Sequence, residues 1–76
     1  MTSRCIAIKK LASETYNQYI HYGNVIKDAT LASLKAQKAF AERDVLLSSE
    51  EKEYVRLYID TYISKIILYE YFKSNR

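Results

Sequence analysis

Tyrosine is the residue type in this chain that most suggests a binding role. A tyrosine ring is large and apolar, while its hydroxyl needs water or a hydrogen-bond acceptor. Such side chains can line the edge of a small core, anchor a protein interface, or stack on nucleic acid bases. The residue type alone leaves these three interpretations open. The chain has eight tyrosines among its 76 residues: Tyr16, Tyr19, Tyr22, Tyr54, Tyr58, Tyr62, Tyr69 and Tyr71.

A polar stripe with several lysines runs along the first half of the chain. Its basic members are Lys9, Lys10, Lys27, Lys35 and Lys38. Lysines at this density can follow the phosphates of a nucleic acid, which gives binding that weakens as salt rises. Acidic residues interrupt the stripe, and the net charge of +3 permits an acidic partner without requiring one. Nucleic acid binding is therefore the alternative function and not the first prediction.

The residues that usually carry catalysis or bind metals are scarce. The chain has one cysteine, Cys5, and one histidine, His21, which excludes an internal disulfide and a Cys/His zinc cluster. No nucleophile with an adjacent base, no metal set and no glycine-rich phosphate loop is recognisable. We therefore predict a protein that is not an enzyme and binds no cofactor. Cys5 is expected as a small apolar contact, with an intermolecular disulfide or a reactive thiol as the alternative.

The backbone that must position these side chains is predicted to be helical throughout. Proline is absent and glycine occurs once, while good helix formers are frequent. Ser48 followed by Glu51 has the spacing of a capping box, and Glu50 and Glu53 add negative charge where the helix dipole favours it. A helix is therefore predicted over 49–74, within a single helical domain that covers residues 1–76.

The first half of the chain has one apolar seam that keeps its phase over many turns. Alternating steps of four and three residues connect Ile8, Ala12, Thr15, Tyr19, Tyr22, Ile26, Ala29, Ser33, Ala36 and Phe40. The phase does not slip at Gly23-Asn24, the one plausible break, and a turn would normally shift it. We therefore predict one helix over residues 3–43, about 60 Å long. The alternative is a three-helix bundle with a break at Gly23-Asn24 and segments near 3–22, 25–43 and 49–74.

The last turns of the second predicted helix are apolar on every side, and this feature leads us to predict a partner. A helical hairpin cannot bury Ile63, Ile67, Leu68, Tyr71 and Phe72 at one end, or Ile6 and Ile8 at the other. Because a helix that is apolar all round must be buried all round, we expect two hairpins to pack into a dimeric four-helix bundle. In the three-helix alternative the chain is a monomer, and segment 3–22 folds back and covers these residues itself.

Together these features predict a small regulatory protein that acts through its helical surfaces. It would be an adaptor, an inhibitor or an assembly factor that forms a homodimer and binds a second protein. No uncharged apolar run approaches the ~20 residues that span a bilayer, and Lys9 and Lys10 lie where a signal peptide would be apolar. We therefore expect no membrane insertion and a location in the cytoplasm, where a lone cysteine stays reduced.

Overall fold

Three α-helices and one short 3-10 turn make up the protein. In the computed structural model, which describes residues 2–74, α1 spans Ser3–Tyr22 and is followed by a 3-10 turn over Gly23–Ile26. Helix α2 spans Lys27–Glu42, and α3 spans Ser49–Ser74. The predicted all-α class is confirmed, since the described part of the chain has no strand. The single domain predicted over residues 1–76 extends beyond the described residues at both ends.

The chain reverses direction at Gly23, so the first half is two helices and not one. Gly23 has φ 75° and ψ −156°, a backbone conformation that is nearly restricted to glycine. Its N–H donates to the carbonyl of Tyr19 and closes the last turn of α1. Helix α2 then runs back along α1, where the side chain of Gln37 donates to Thr15 at 3.0 Å. The prediction of one helix over residues 3–43 is therefore corrected in favour of the three-helix alternative, whose break lies at this glycine.

The turn also shifts the helix phase by one residue. Helix α1 buries Ala12 and Tyr19, as the seam predicted. In α2 the predicted seam faces solvent, and the exposed positions are Ala29, Ser33, Ala36 and Phe40. The buried positions lie one residue further along the chain: Thr30, Leu34 and Ala41. The apolar pattern of the sequence therefore continues without a phase shift through the break at Gly23, because the exposed face of α2 carries small or apolar residues as the buried face does.

The start of α3 is as predicted and also anchors the start of α1. The Glu51 N–H donates to the Ser48 hydroxyl at 3.2 Å, and the Ser48 N–H donates to the Glu51 carboxylate at 3.0 Å. The same carboxylate accepts from the Thr2 hydroxyl at 2.8 Å. These hydrogen bonds, with that of the Ser48 N–H as the largest cause, lower the pKa of Glu51 to about 2. One charged side chain therefore joins the first turns of two helices.

The core is a thin column of mostly small and aliphatic side chains, with one buried tyrosine, between the three helices. It consists of Cys5, Ala12, Tyr19, Leu34, Ala41, Leu47, Val55, Ile59 and Ile66. Helix α1 runs parallel to α3, since Thr2 contacts Glu51 and Tyr19 contacts Glu70, and α2 runs antiparallel to both. The bundle measures 43 × 18 × 17 Å. Among residues 2–74, no helix combines the length and the apolar character that crossing a bilayer requires.

Candidate functional site

Four large side chains near the end of α3 remain uncovered after the three helices have packed. We call them the α3 apolar surface: Ile67, Leu68, Tyr71 and Phe72, between 53% and 65% exposed. They form two pairs at a spacing of four residues, so they lie on adjacent turns of one side of the helix. The rings of Tyr71 and Phe72 meet edge to face at 5.7 Å. The result is a continuous exposed apolar area of the kind that marks interaction sites.

Helix α1 folds back along α3 but covers a different side of it. The rings of Tyr16 and Tyr62 stack at 4.6 Å, and the ring of Tyr19 meets that of Tyr69 at 6.2 Å. Helix α2 contacts α3 earlier along its length, where Lys38 forms an ion pair with Asp60 at 2.9 Å. Asp60 lies seven residues before Ile67 and therefore on the same side of α3. Neither contact covers the last turns, where Ile67, Leu68, Tyr71 and Phe72 remain more than half exposed. The expectation that a folded-back first segment covers these side chains is corrected by this geometry.

A partly buried hydrogen bond keeps Glu70, the acidic side chain next to the α3 apolar surface, turned away from that surface. The Tyr19 hydroxyl donates to the Glu70 carboxylate at 2.6 Å, and the Tyr19 side chain is buried. Burial, followed by this hydrogen bond, raises the pKa of Tyr19 above its ordinary value. Glu70 therefore points toward α1, and within the described residues no carboxylate interrupts the four apolar side chains.

The structure separates the seven predicted interface residues into three groups. Ile67, Leu68, Tyr71 and Phe72 lie together on the α3 apolar surface. Ile8 and Ile63 are half-buried and pack against the core. Ile6 is exposed but lies at the opposite end of the bundle, because α1 and α3 are parallel.

Two residues that the sequence reasoning missed extend this surface toward α1. Tyr69 and Ile20 are both more than half exposed, and Ile20 follows the residue whose ring contacts Tyr69. The sequence does contain a pattern that could have identified Ile20: Ile6, Ser13 and Ile20 are seven residues apart, which places them on one side of α1. The Ser13 hydroxyl lies 3.0 Å from that of Tyr62, so this side borders α3.

Six of the eight tyrosines form one row along the seam between α1 and α3. The ring contacts run in the order Tyr54, Tyr58, Tyr62, Tyr16, Tyr19 and Tyr69, with centroids 4.6 to 6.4 Å apart. Lys9 lies over the rings of Tyr54 and Tyr58, and its ammonium donates to the Tyr54 hydroxyl at 2.8 Å. That hydrogen bond raises the pKa of Lys9. Most of the tyrosines therefore join two helices, which favours the first of the three interpretations.

The predicted lysine stripe is divided among separate parts of the bundle. Lys9 lies on the seam with α3, and Lys38 is paired with Asp60. Lys27 lies at the far end, 3.8 Å from Asp28. Lys10 and Lys35 are exposed on antiparallel helices and form no ion pair with any of residues 2–74. The fold therefore brings no continuous row of the five lysines together.

Cys5 and His21 have different surroundings. The Cys5 side chain is fully buried in the core, which fits the expected small apolar contact. His21 is exposed near the end of α1, with its ring 4.7 Å from that of Tyr22. Within the described range, no group of three histidine, cysteine or acidic side chains is placed to hold a metal ion.

The α3 apolar surface is therefore the candidate site, formed by one side of a helix and extended by Tyr69 and Ile20. It has the chemistry of a contact surface, since its four defining side chains carry one hydroxyl and no charge. Comparison with known proteins adds no further assignment: no family model, no curated protein and no solved structure matches the chain.

Proposed function

We propose that this protein is a small non-enzymatic interaction protein that associates with itself through the α3 apolar surface. Its role would be that of an adaptor, an inhibitor or an assembly factor. The observation that supports this is the exposure of Ile67, Leu68, Tyr71 and Phe72 on one side of a well-formed helix. Within this proposal the protein acts in the cytoplasm, where the unpaired thiol of Cys5 stays reduced.

The total surface of the chain supports the same proposal. Its accessible surface is 5383 Å², whereas a compact monomer of 8.9 kDa exposes about 4,800 Å². The elongated shape accounts for part of this excess, and the uncovered side of α3 adds to it. A stable interface buries ~800 Å² on each partner. The four central side chains are too few to reach that size, so Tyr69, Ile20 and the polar residues around them must also take part in the contact.

The expected energy is sufficient for association. At ~150–250 Å² for a large side chain, four half-exposed ones present roughly 400 Å² per chain. At ~25 cal/mol per Å², two chains gain about 20 kcal/mol before costs. Lost translational and rotational freedom opposes this by ~4–15 kcal/mol. The remaining ~5–16 kcal/mol favours a dimer, and a charged substitution acts against it twice because both copies of a twofold dimer carry it.

A pair of α3 helices related by twofold symmetry provides the geometry. In an antiparallel pair, Ile67 would lie opposite Phe72 of the second copy, and Leu68 opposite Tyr71 of that copy. The same surface of both copies then forms the contact, as a twofold dimer requires. Because each chain contributes three helices, the assembly would contain six and not the four expected from two hairpins.

The test compares two leucine substitutions on α3. Leu68 and Leu57 are 54% and 52% exposed on the same helix, but only Leu68 belongs to the α3 apolar surface. We expect Leu68→Glu to be monomeric by sedimentation equilibrium across a dilution series, while Leu57→Glu remains a dimer like the unchanged chain. Far-ultraviolet circular dichroism should show equal helix content in all three proteins. A monomeric unchanged chain, or equal dissociation of both variants, would show that the proposed interface is wrong.

A further inference from the structure

A second apolar feature lies at the opposite end of the bundle from the α3 apolar surface. It is a groove between the start of α1 and the end of α2, with a volume of about 660 Å³. Its apolar lining consists of Ala7, Ile8, Leu11, Phe40, Ala41 and Val45. Phe40 and Val45 are 71% and 91% exposed, and Leu11 is half exposed. The groove exists because the reversal at Gly23 brings residues 4–11 beside residues 37–45.

The charged groups at the rim of this groove are net positive. Arg4 and Arg43 line it together with Asp44. The Asp44 carboxylate is already satisfied, because it accepts from the Leu46 N–H at 2.9 Å and from Arg4. These two contacts, the backbone one first, hold the pKa of Asp44 below its usual value. Its side chain is only 8% exposed, whereas Arg43 forms no ion pair with any of residues 2–74.

Among the described residues that line the groove, Asp44 is the one acidic side chain. Glu42 lies on the other flank of α2, where it lines a smaller crevice with Glu53 and Arg56 of α3. The groove therefore offers apolar anchor sites beside the Arg43 guanidinium, which has no ion-pair partner among residues 2–74. Electrostatic complementarity then favours a partner that carries negative charge next to its apolar side chains.

We propose that this groove binds an amphipathic helix of a different protein, with two apolar anchor residues and an acidic residue facing Arg43. The groove is open along one side, whereas small-molecule pockets usually enclose most of their ligand. A helix laid into a groove inserts anchors three or four residues apart and leaves its polar side in solvent. The two exposed side chains Leu11 and Phe40, one from each wall, are the contacts for these anchors.

A second copy of this chain is the less suitable occupant on grounds of charge. The α3 apolar surface, which such a copy would offer, is accompanied by Lys65 and Lys73 on the same helix. Lys65, seven residues before Phe72 and therefore on the same side of α3, would bring a second positive charge to Arg43 at the groove, and like charges disfavour the contact. The groove and the α3 apolar surface therefore serve different partners, and the groove proposal does not depend on self-association.

The experiment selects partners without assuming their sequence. A displayed library of 16-residue helical peptides, randomised at the surface positions, is selected for binding to the full chain. We expect the enriched peptides to carry two apolar residues three or four positions apart and a net negative charge. They should bind the Phe40→Ser variant at least tenfold more weakly than the unchanged chain, and bind Leu57→Ser with unchanged affinity. The Arg43→Glu variant should reverse the charge preference toward basic peptides.

Several outcomes would overturn the proposal. It is wrong if the enriched peptides bind Phe40→Ser as tightly as the unchanged chain, or if they are neutral or basic. It is also wrong if Phe40→Ser, and not Leu68→Glu, abolishes the dimer in sedimentation, since a second copy would then occupy the groove. Micromolar binding of dodecanoate that displaces the peptides would assign the groove to a small apolar acid. Because self-association is measured separately, failure of one proposal is distinguishable from failure of the other.

Discussion

Replacing Gly23 with alanine tests the break that separates α1 from α2. Gly23 has φ 75° and ψ −156°, a region in which a residue with a Cβ atom is strained by ~1–3 kcal/mol. A Cβ built at this position meets no heavy atom within 4 Å, so steric contact adds nothing to this strain. Alanine also favours a continuous helix over glycine by ~1 kcal/mol. Together these effects favour an unbroken helix by about 2–4 kcal/mol over the unchanged chain.

The expected result is a destabilised bundle that partly converts to one helix across residues 3–43. The predicted seam keeps its phase through Gly23, so the continuous form has an apolar side available for pairing with a second copy. Unfolding in guanidinium should show a loss of about 1–3 kcal/mol in the free energy of unfolding. Asn24→Ala is the matched control, because no residue of the described chain other than Gly23 has a positive φ. That variant should keep the stability of the unchanged chain within about 0.5 kcal/mol.

A distance measurement distinguishes the two forms directly. Spin labels at Lys10 and Lys35, placed in a Cys5→Ala background, lie on exposed positions of α1 and α2. In one continuous helix these positions are about 37 Å apart, since each residue adds ~1.5 Å. In the bundle they lie on neighbouring helices within a cross-section of 18 × 17 Å and are closer. If Gly23→Ala leaves both stability and distance unchanged, the backbone conformation of Gly23 does not cause the break.

Three further substitutions test individual contacts. Tyr19→Phe removes the hydrogen bond to Glu70 at 2.6 Å and should lower the free energy of unfolding in denaturant by about 1–2 kcal/mol. Because folding raises the pKa of Tyr19, the unchanged chain should lose stability as pH rises above 10. The variant, which lacks this hydroxyl, should lose less stability over the same range. Because folding lowers the pKa of Glu51 to about 2, the unchanged chain should lose thermal stability as pH falls from 4.5 toward 2. Glu51→Gln should lose less stability over this range, and an equally steep loss in the variant would contradict this assignment. Gln37→Met should raise the free energy of unfolding by about 1 kcal/mol, because the buried amide oxygen of Gln37 has no donor among residues 2–74. A less stable variant would show that losing the hydrogen bond from the Gln37 amide to Thr15 costs more than removing this oxygen gains.

The sequence alone was sufficient for features that depend on neighbouring residues. The start of α3 follows from Ser48 and Glu51, whose reciprocal hydrogen bonds span one turn and require no other part of the chain. The all-helical class follows from the absence of proline and the near absence of glycine. The exposure of Ile67, Leu68, Tyr71 and Phe72 was also predictable, because a helix that is apolar on every side has more apolar surface than two neighbouring helices can cover.

Tertiary packing decided the features whose local energies nearly balance. Glycine at position 23 costs only ~1 kcal/mol inside a helix, so local propensity could not choose between one helix and two. Packing α2 back onto α1 decided this, and it also turned Thr30 and Leu34 inward and Phe40 outward, one residue away from the predicted seam. The groove between Leu11 and Phe40 depends on that reversal, because residues 29 positions apart meet only when the chain folds back. Local hydrogen bonds therefore determine where the helices begin, whereas the burial of side chains against distant helices determines which of their faces remain exposed.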